Sequence, residues 1–143
     1  MSRILWPAET RSLAWVRDQV RQVAPGLEHW GLDATYRIPT LEDFLGLLRW
    51  DPTDQAEYAV DALDCEDFAF QLVATMRWRL GLNSVGWVAD NQYRDAMTGF
   101  VYPHSYCLCL FTDAPPQVLE PQTDQLWRPG EQGYGMREGL CLL

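Results

Sequence analysis

A chain of 143 residues with 48% hydrophobic residues and seven tryptophans is long and apolar enough to bury the core of one domain without disulfide or metal staples, which argues against disorder. Its net charge of −9 speaks against a nucleic-acid partner, because phosphate binding needs a Lys/Arg surplus on at least one face. No apolar run approaches the ~18 residues of a membrane-spanning helix. The opening stretch Met1-Ser2-Arg3-Ile4-Leu5-Trp6-Pro7-Ala8-Glu9 meets proline and acid before a signal-peptide core develops, so no membrane contact and a cytoplasmic location are expected.

In chain order, Thr10 is placed to cap a first helix whose Leu13, Val16, Val20 and Val23 form an amphipathic stripe ended by Pro25-Gly26. Thr40 precedes Leu41-Glu42-Asp43, and Leu41, Phe44, Leu45 and Leu48 give a second helix its apolar face up to Asp51-Pro52. A third helix begins at Asp64 or Cys65 and runs to Leu80, with Gly81 as its C-cap. Its few polar positions predict a central helix buried on most sides. Beyond it the period changes. Ser84 to Asp90 reads as a strand, Asn91 to Gly99 as a polar connection, Phe100 to Phe111 as a long strand bent at Pro103, and Gln117 to Glu120 as a short strand ended by Pro121. The rest is turn-rich and left unassigned. Helices first and antiparallel strands second predict an α+β class. The expected layout is one domain, with covering helices over 1–57, a core over 58–123 and a tail over 124–143.

Four cysteines without a CxxC pair suggest neither a disulfide scaffold nor zinc, and reduced thiols are expected. Cys65 differs from the others because a helix N-terminus stabilises a thiolate through its unpaired N–H groups and the positive end of its dipole. Strand alternation puts His104, Tyr106, Leu108 and Leu110 on one face, with Ser105, Cys107, Cys109 and Phe111 on the other. If the central helix packs on the first face, His104 is carried toward Cys65, while Cys107 and Cys109 point away as small buried hydrophobes. Glu120 stands where a carboxylate can hold the second imidazole nitrogen. Cys65, His104 and Glu120 are therefore the candidate catalytic residues. His29 lacks such partners and takes no role.

Asp64-Cys65-Glu66-Asp67-Phe68-Ala69, then His104, then Leu119-Glu120-Pro121-Gln122 resemble the papain-like and transglutaminase-like cysteine peptidase superfamily. Within it the resemblance is closest to the peptidase domain at the C-terminal end of a fungal galactose-binding agglutinin and to similar small phage and bacterial proteins, over about residues 58 to 123. It implies a papain-like fold in which the central helix carrying the cysteine packs on a small antiparallel sheet, with a phage-encoded origin as one option. It also implies Cys65 as nucleophile, His104 as general base and acid, and Glu120 as orienter. Where papain-like enzymes carry an oxyanion-hole glutamine, this chain has Tyr58 and Ala59, so Tyr58 or Gln55 would help the Cys65 N–H. The agglutinin peptidase depends on calcium-type ions, which implies Ca²⁺ or Mn²⁺ on Asp64, Glu66 and Asp67. A divalent cation there would offset the negative charge around the thiol, although the same acids also suit a helix N-terminus.

Three functions follow as expectations. The first is a thiol hydrolase of peptide or amide bonds acting on a peptide or protein substrate. The second is a transglutaminase-like acyl transferase. The third is a catalytically silent interaction or virion-associated module that keeps the fold.

Overall fold

The computed structural model describes residues 4–60 and 62–143. Met1, Ser2 and Arg3, which open the stretch read for an export signal, and Asp61, inside the expected core, lie outside the described residues. Among the described residues three α-helices, α1 (Leu13–Val23), α2 (Leu41–Leu48) and α3 (Cys65–Leu80), accompany eight strands. β1 (Glu9–Ser12) and β3 (Thr35–Ile38) form an antiparallel pair. The other six are β2 (Leu27–Trp30), β4 (Val85–Arg94), β5 (Val101–Cys109), β6 (Gln117–Glu120), β7 (Gln125–Trp127) and β8 (Gly139–Leu142). They form one sheet in the order β2-β8-β4-β5-β6-β7. The class is α+β, and the sheet is mixed rather than purely antiparallel, because β2 and β8 pair in parallel.

Local chemistry explains the helices. Ser12, not Thr10, caps α1 and accepts from the Trp15 N–H at 3.2 Å. Thr10 is instead drawn into β1 opposite Arg37, so strand pairing overrides the nearer capping signal. Thr40 caps α2 through the Asp43 N–H at 3.1 Å, and Phe44, Leu47 and Leu48 make its buried face while Leu45 stays exposed. At α3, Asp64 and Asp67 form a reciprocal capping box, and Gly81 closes the helix in the left-handed region at φ 67°. The helix is not buried on most sides: Phe70 is 47% exposed and Trp78 84%.

The sheet carries a core on each face. Val16, Val20, Tyr36, Ile38, Tyr106, Leu108 and Val118 pack on one side. Phe44, Leu72, Met76, Cys107, Cys109 and Phe111 pack on the other. Thus α3 lies over Cys107 and Cys109, with the Cys107 thiol 3.8 Å from the Ala69 carbonyl, the reverse of the expected face. The small thiols let the helix approach the sheet closely there.

The flanks contribute more than covering helices and a tail. Residues before 58 supply β1, β2 and β3, and the tail supplies β7 and β8. β8 inserts between β2 and β4. Gly139 makes this possible, because at φ 149° a Cβ there would lie 1.9 Å from the Ala89 carbonyl oxygen. β4 also runs on to Arg94 through an irregularity between Asp90 and Tyr93, which absorbs the polar Asn91 and Gln92 that read as a loop. No helix among the described residues is long and apolar enough to cross a membrane.

Candidate active site

Cys65 is the first residue of α3 and is partly buried. His104 lies on β5 and Glu120 ends β6 before Pro121. Leu108 pairs with Val118 across these antiparallel strands. His104 is four residues before Leu108 and Glu120 two after Val118, so the period of two puts both on the same face. The side chains meet there, with His104 Nε2 2.8 Å from Glu120 Oε2, both nearly buried.

Most of α3 covers the opposite face, yet its N-terminus reaches His104. Asp90 is the register partner of His104, and the β4 irregularity follows it directly. Such bulges bend a strand and re-aim its side chains. Cys65 and His104 line one cleft of about 300 Å³, together with Glu66, Phe70, Trp87 and Ser105. Phe70 stacks on Trp87 with ring centroids 4.7 Å apart and forms an aromatic wall.

Burial alone would lower the His104 pKa, but hydrogen bonds with Cys65 and Glu120, and their negative charges, raise it to about 9. Glu120 occupies Nε2, so Nδ1 serves the Cys65 side. At neutral pH His104 is therefore held as the imidazolium. A competing contact runs the other way, because the Cys65 thiol also donates to Glu66 Oε2 at 3.4 Å.

Tyr134 donates to Glu120 Oε2 at 2.9 Å, and Tyr106 donates to Asp90 Oδ2 at 2.6 Å. Tyr93, Tyr106 and Tyr134 surround the imidazole, with ring centroids 4.7, 5.8 and 6.3 Å away. Tyr106 was visible on the His104 face of its strand. Tyr134 sits in the unassigned tail, between Gly133 and Gly135, where no periodicity marked it.

Tyr58 and Gln55 do not line the cleft. Tyr58 is half-exposed and stacks on Phe68 at 6.5 Å, and Gln55 lies exposed in a short 3-10 turn over Thr53–Gln55. The structure therefore does not bring these two expected oxyanion helpers to the cleft, and the Cys65 N–H at the helix start is the backbone donor beside the thiol. Asp64, Glu66 and Asp67 do not fit a metal. Asp64 and Asp67 are engaged with each other's backbone in the capping box, and Glu66 turns to the thiol. Among the described residues no group of three or more His, Cys, Asp or Glu is arranged to hold a metal ion.

The other three cysteines are fully buried, and burial pushes their thiols up, that of Cys141 to about 12. They behave as small apolar residues.

The geometry defines an α+β domain with a thiol, an imidazole and a carboxylate gathered at a helix start. No family model and no curated protein matches the chain. Its fold is similar to that of a solved PSL1a–E64 complex, with TM-score 0.68 and 14% identity, over 94% of this chain and 50% of that one. It is also similar to Polyporus squamosus lectin bound to the human-type influenza-binding epitope Neu5Aca2-6Galb1-4GlcNAc, with TM-score 0.65 and 15% identity, over 94% of this chain and 49% of that one. The chain thus spans about half the length of the solved chains it matches. These lectin structures overturn the expected membership of the papain-like cysteine peptidase superfamily: the likeness is one of fold, and it is to a lectin.

Proposed function

We propose that the cleft is the active site of a thiol hydrolase of peptide or amide bonds. The observation that carries this is the shared placement of the three groups: Cys65 and His104 in one cleft, with Glu120 2.8 Å behind the imidazole. Cys65 Sγ, as the thiolate paired with the His104 imidazolium, attacks the substrate carbonyl carbon and a C–S bond forms. The imidazolium gives its proton to the leaving nitrogen as the C–N bond breaks. Water attacks the resulting thioester and gives a proton to the now neutral His104 as the C–S bond breaks. An acid and an amine are released, and the thiolate and imidazolium are restored. Glu120 holds the ring so that Nδ1 faces the sulfur, and its charge favours the imidazolium. That a protein of similar fold is known in complex with E64 makes this compound a natural reagent for the site.

The experiment is digestion of a defined peptide mixture, read by mass spectrometry. Cleavage that disappears in Cys65→Ala is expected. No cleavage by the wild-type chain, or cleavage that survives Cys65→Ala, contradicts the assignment. A labelled primary amine in the same mixture distinguishes hydrolysis from acyl transfer, since only transfer leaves the amine covalently on the peptide.

A further inference from the structure

Behind the aromatic wall lies a second and larger cavity of about 600 Å³, bounded by α3 and the segment around Pro52. Phe70 lines both this cavity and the Cys65–His104 cleft, so the two meet at its ring. A chain held with its carbonyl over Cys65 has this cavity beside it.

Asp51 lines the cavity and is only 2% exposed. Its Oδ2 accepts from the Thr53 N–H at 3.0 Å. Its Oδ1 is buried with no hydrogen-bond partner. A buried carboxylate oxygen without a donor is costly and calls for a partner, an ordered water, an ion or a ligand. Two more carboxylates act on the same region. Asp124 has its carboxyl pushed up to about 7, first by burial and then by the charges of Asp54 and Asp51. Arg79 also lines the cavity, with its guanidinium 5.4 Å from the Trp50 ring centroid, while Asp51 Oδ1 keeps no hydrogen-bond partner. The donors are not arranged for a metal ion, and one open oxygen beside an apolar wall matches an organic cation with an alkyl stem.

We infer that the cavity beside Asp51 takes a cationic side chain of the substrate, a lysine or arginine flanking the scissile bond. The stem would run along Phe70, which is 47% exposed, and the charged head would reach Asp51 Oδ1. This rests on the thiol-hydrolase reading in that the occupant belongs to a substrate.

Two arms test it. In the first, cleavage sites in the peptide mixture are expected to be enriched at least tenfold for Lys or Arg at one fixed position, and Asp51→Asn should remove that enrichment. Asparagine keeps an acceptor for the Thr53 N–H, so the turn is retained. In the second, n-butylguanidinium is titrated into the wild-type chain and the amide signals of Phe70 and Ala74 are followed by NMR. Shifts that n-butylurea does not reproduce, and that weaken at least tenfold in Asp51→Asn, are expected. If no peptide is cleaved, the hydrolase reading falls while the second arm still decides the pocket. Equal response to n-butylguanidinium and n-butylurea overturns the inference, as does cleavage indifferent to charge. Calcium chloride that shifts the same amides and displaces n-butylguanidinium would make this a metal site and would overturn it too.

Discussion

Tyr134 and His104 hold the same oxygen: Glu120 Oε2 accepts from the Tyr134 hydroxyl at 2.9 Å and bonds His104 Nε2 at 2.8 Å. The carboxylate is thus fixed from two directions, by a residue of the C-terminal tail and by the imidazole it orients. Glu120→Gln keeps the shape but removes the charge, one of the influences that raise His104. The His104 pKa should fall clearly below about 9 in this variant, followed by NMR titration of the ring protons. An unchanged value would mean that Glu120 does not set the charge of His104.

Tyr134→Phe removes one buried hydrogen bond to a charged acceptor and should cost about 1.5–3 kcal/mol of stability, measured by urea unfolding. A loss near zero would show that the hydroxyl contributes little to fixing Glu120.

The raised His104 pKa ties stability to pH. The folded chain holds the His104 proton to about pH 9, whereas the unfolded chain releases it near 6.5. The stabilisation is therefore fully present below about pH 6.5 and is lost as pH rises through about 9, amounting to roughly 3 kcal/mol at most. Urea midpoints at pH 6, 7.5 and 9.5 should fall for the wild type. His104→Asn should lose most of this decline, and an equally steep decline in that variant would assign it to other groups.

Glu66 works against the thiol. Its carboxylate accepts from Cys65 at 3.4 Å, and a negative charge beside sulfur disfavours a developing thiolate. Glu66→Gln should raise the rate of iodoacetamide alkylation of Cys65 by roughly three- to tenfold at low salt, and added salt should narrow the difference because the exposed carboxylate is screened. A slower rate in the variant would instead give Glu66 a supporting role.

Parts of this arrangement were legible in the sequence, for identifiable reasons. The bounds of α3 follow from an acidic capping box at Asp64 and Asp67 and a left-handed Gly81, which are local signals. The meeting of His104 and Glu120 follows from strand alternation, which survives small errors in strand ends. The face that α3 covers did not follow, because both faces of β5 are apolar and only packing against α1 and α2 decides between them. β8 escaped because its place in the sheet depends on Gly139 fitting against β4, a long-range contact with no periodicity of its own. Tyr134 and Asp51 escaped for the same reason, since burial in a loop leaves no pattern along the chain.

The most direct test of the central claim is the rate at which E64 modifies the intact chain, with the site located by mass spectrometry. The account predicts one adduct, on Cys65, with Cys107, Cys109 and Cys141 modified roughly a hundredfold more slowly because their exposure requires opening of the core. It also predicts a marked loss of rate in His104→Asn and in Glu120→Gln. Equal modification of all four thiols, or an unchanged rate in His104→Asn, would contradict it.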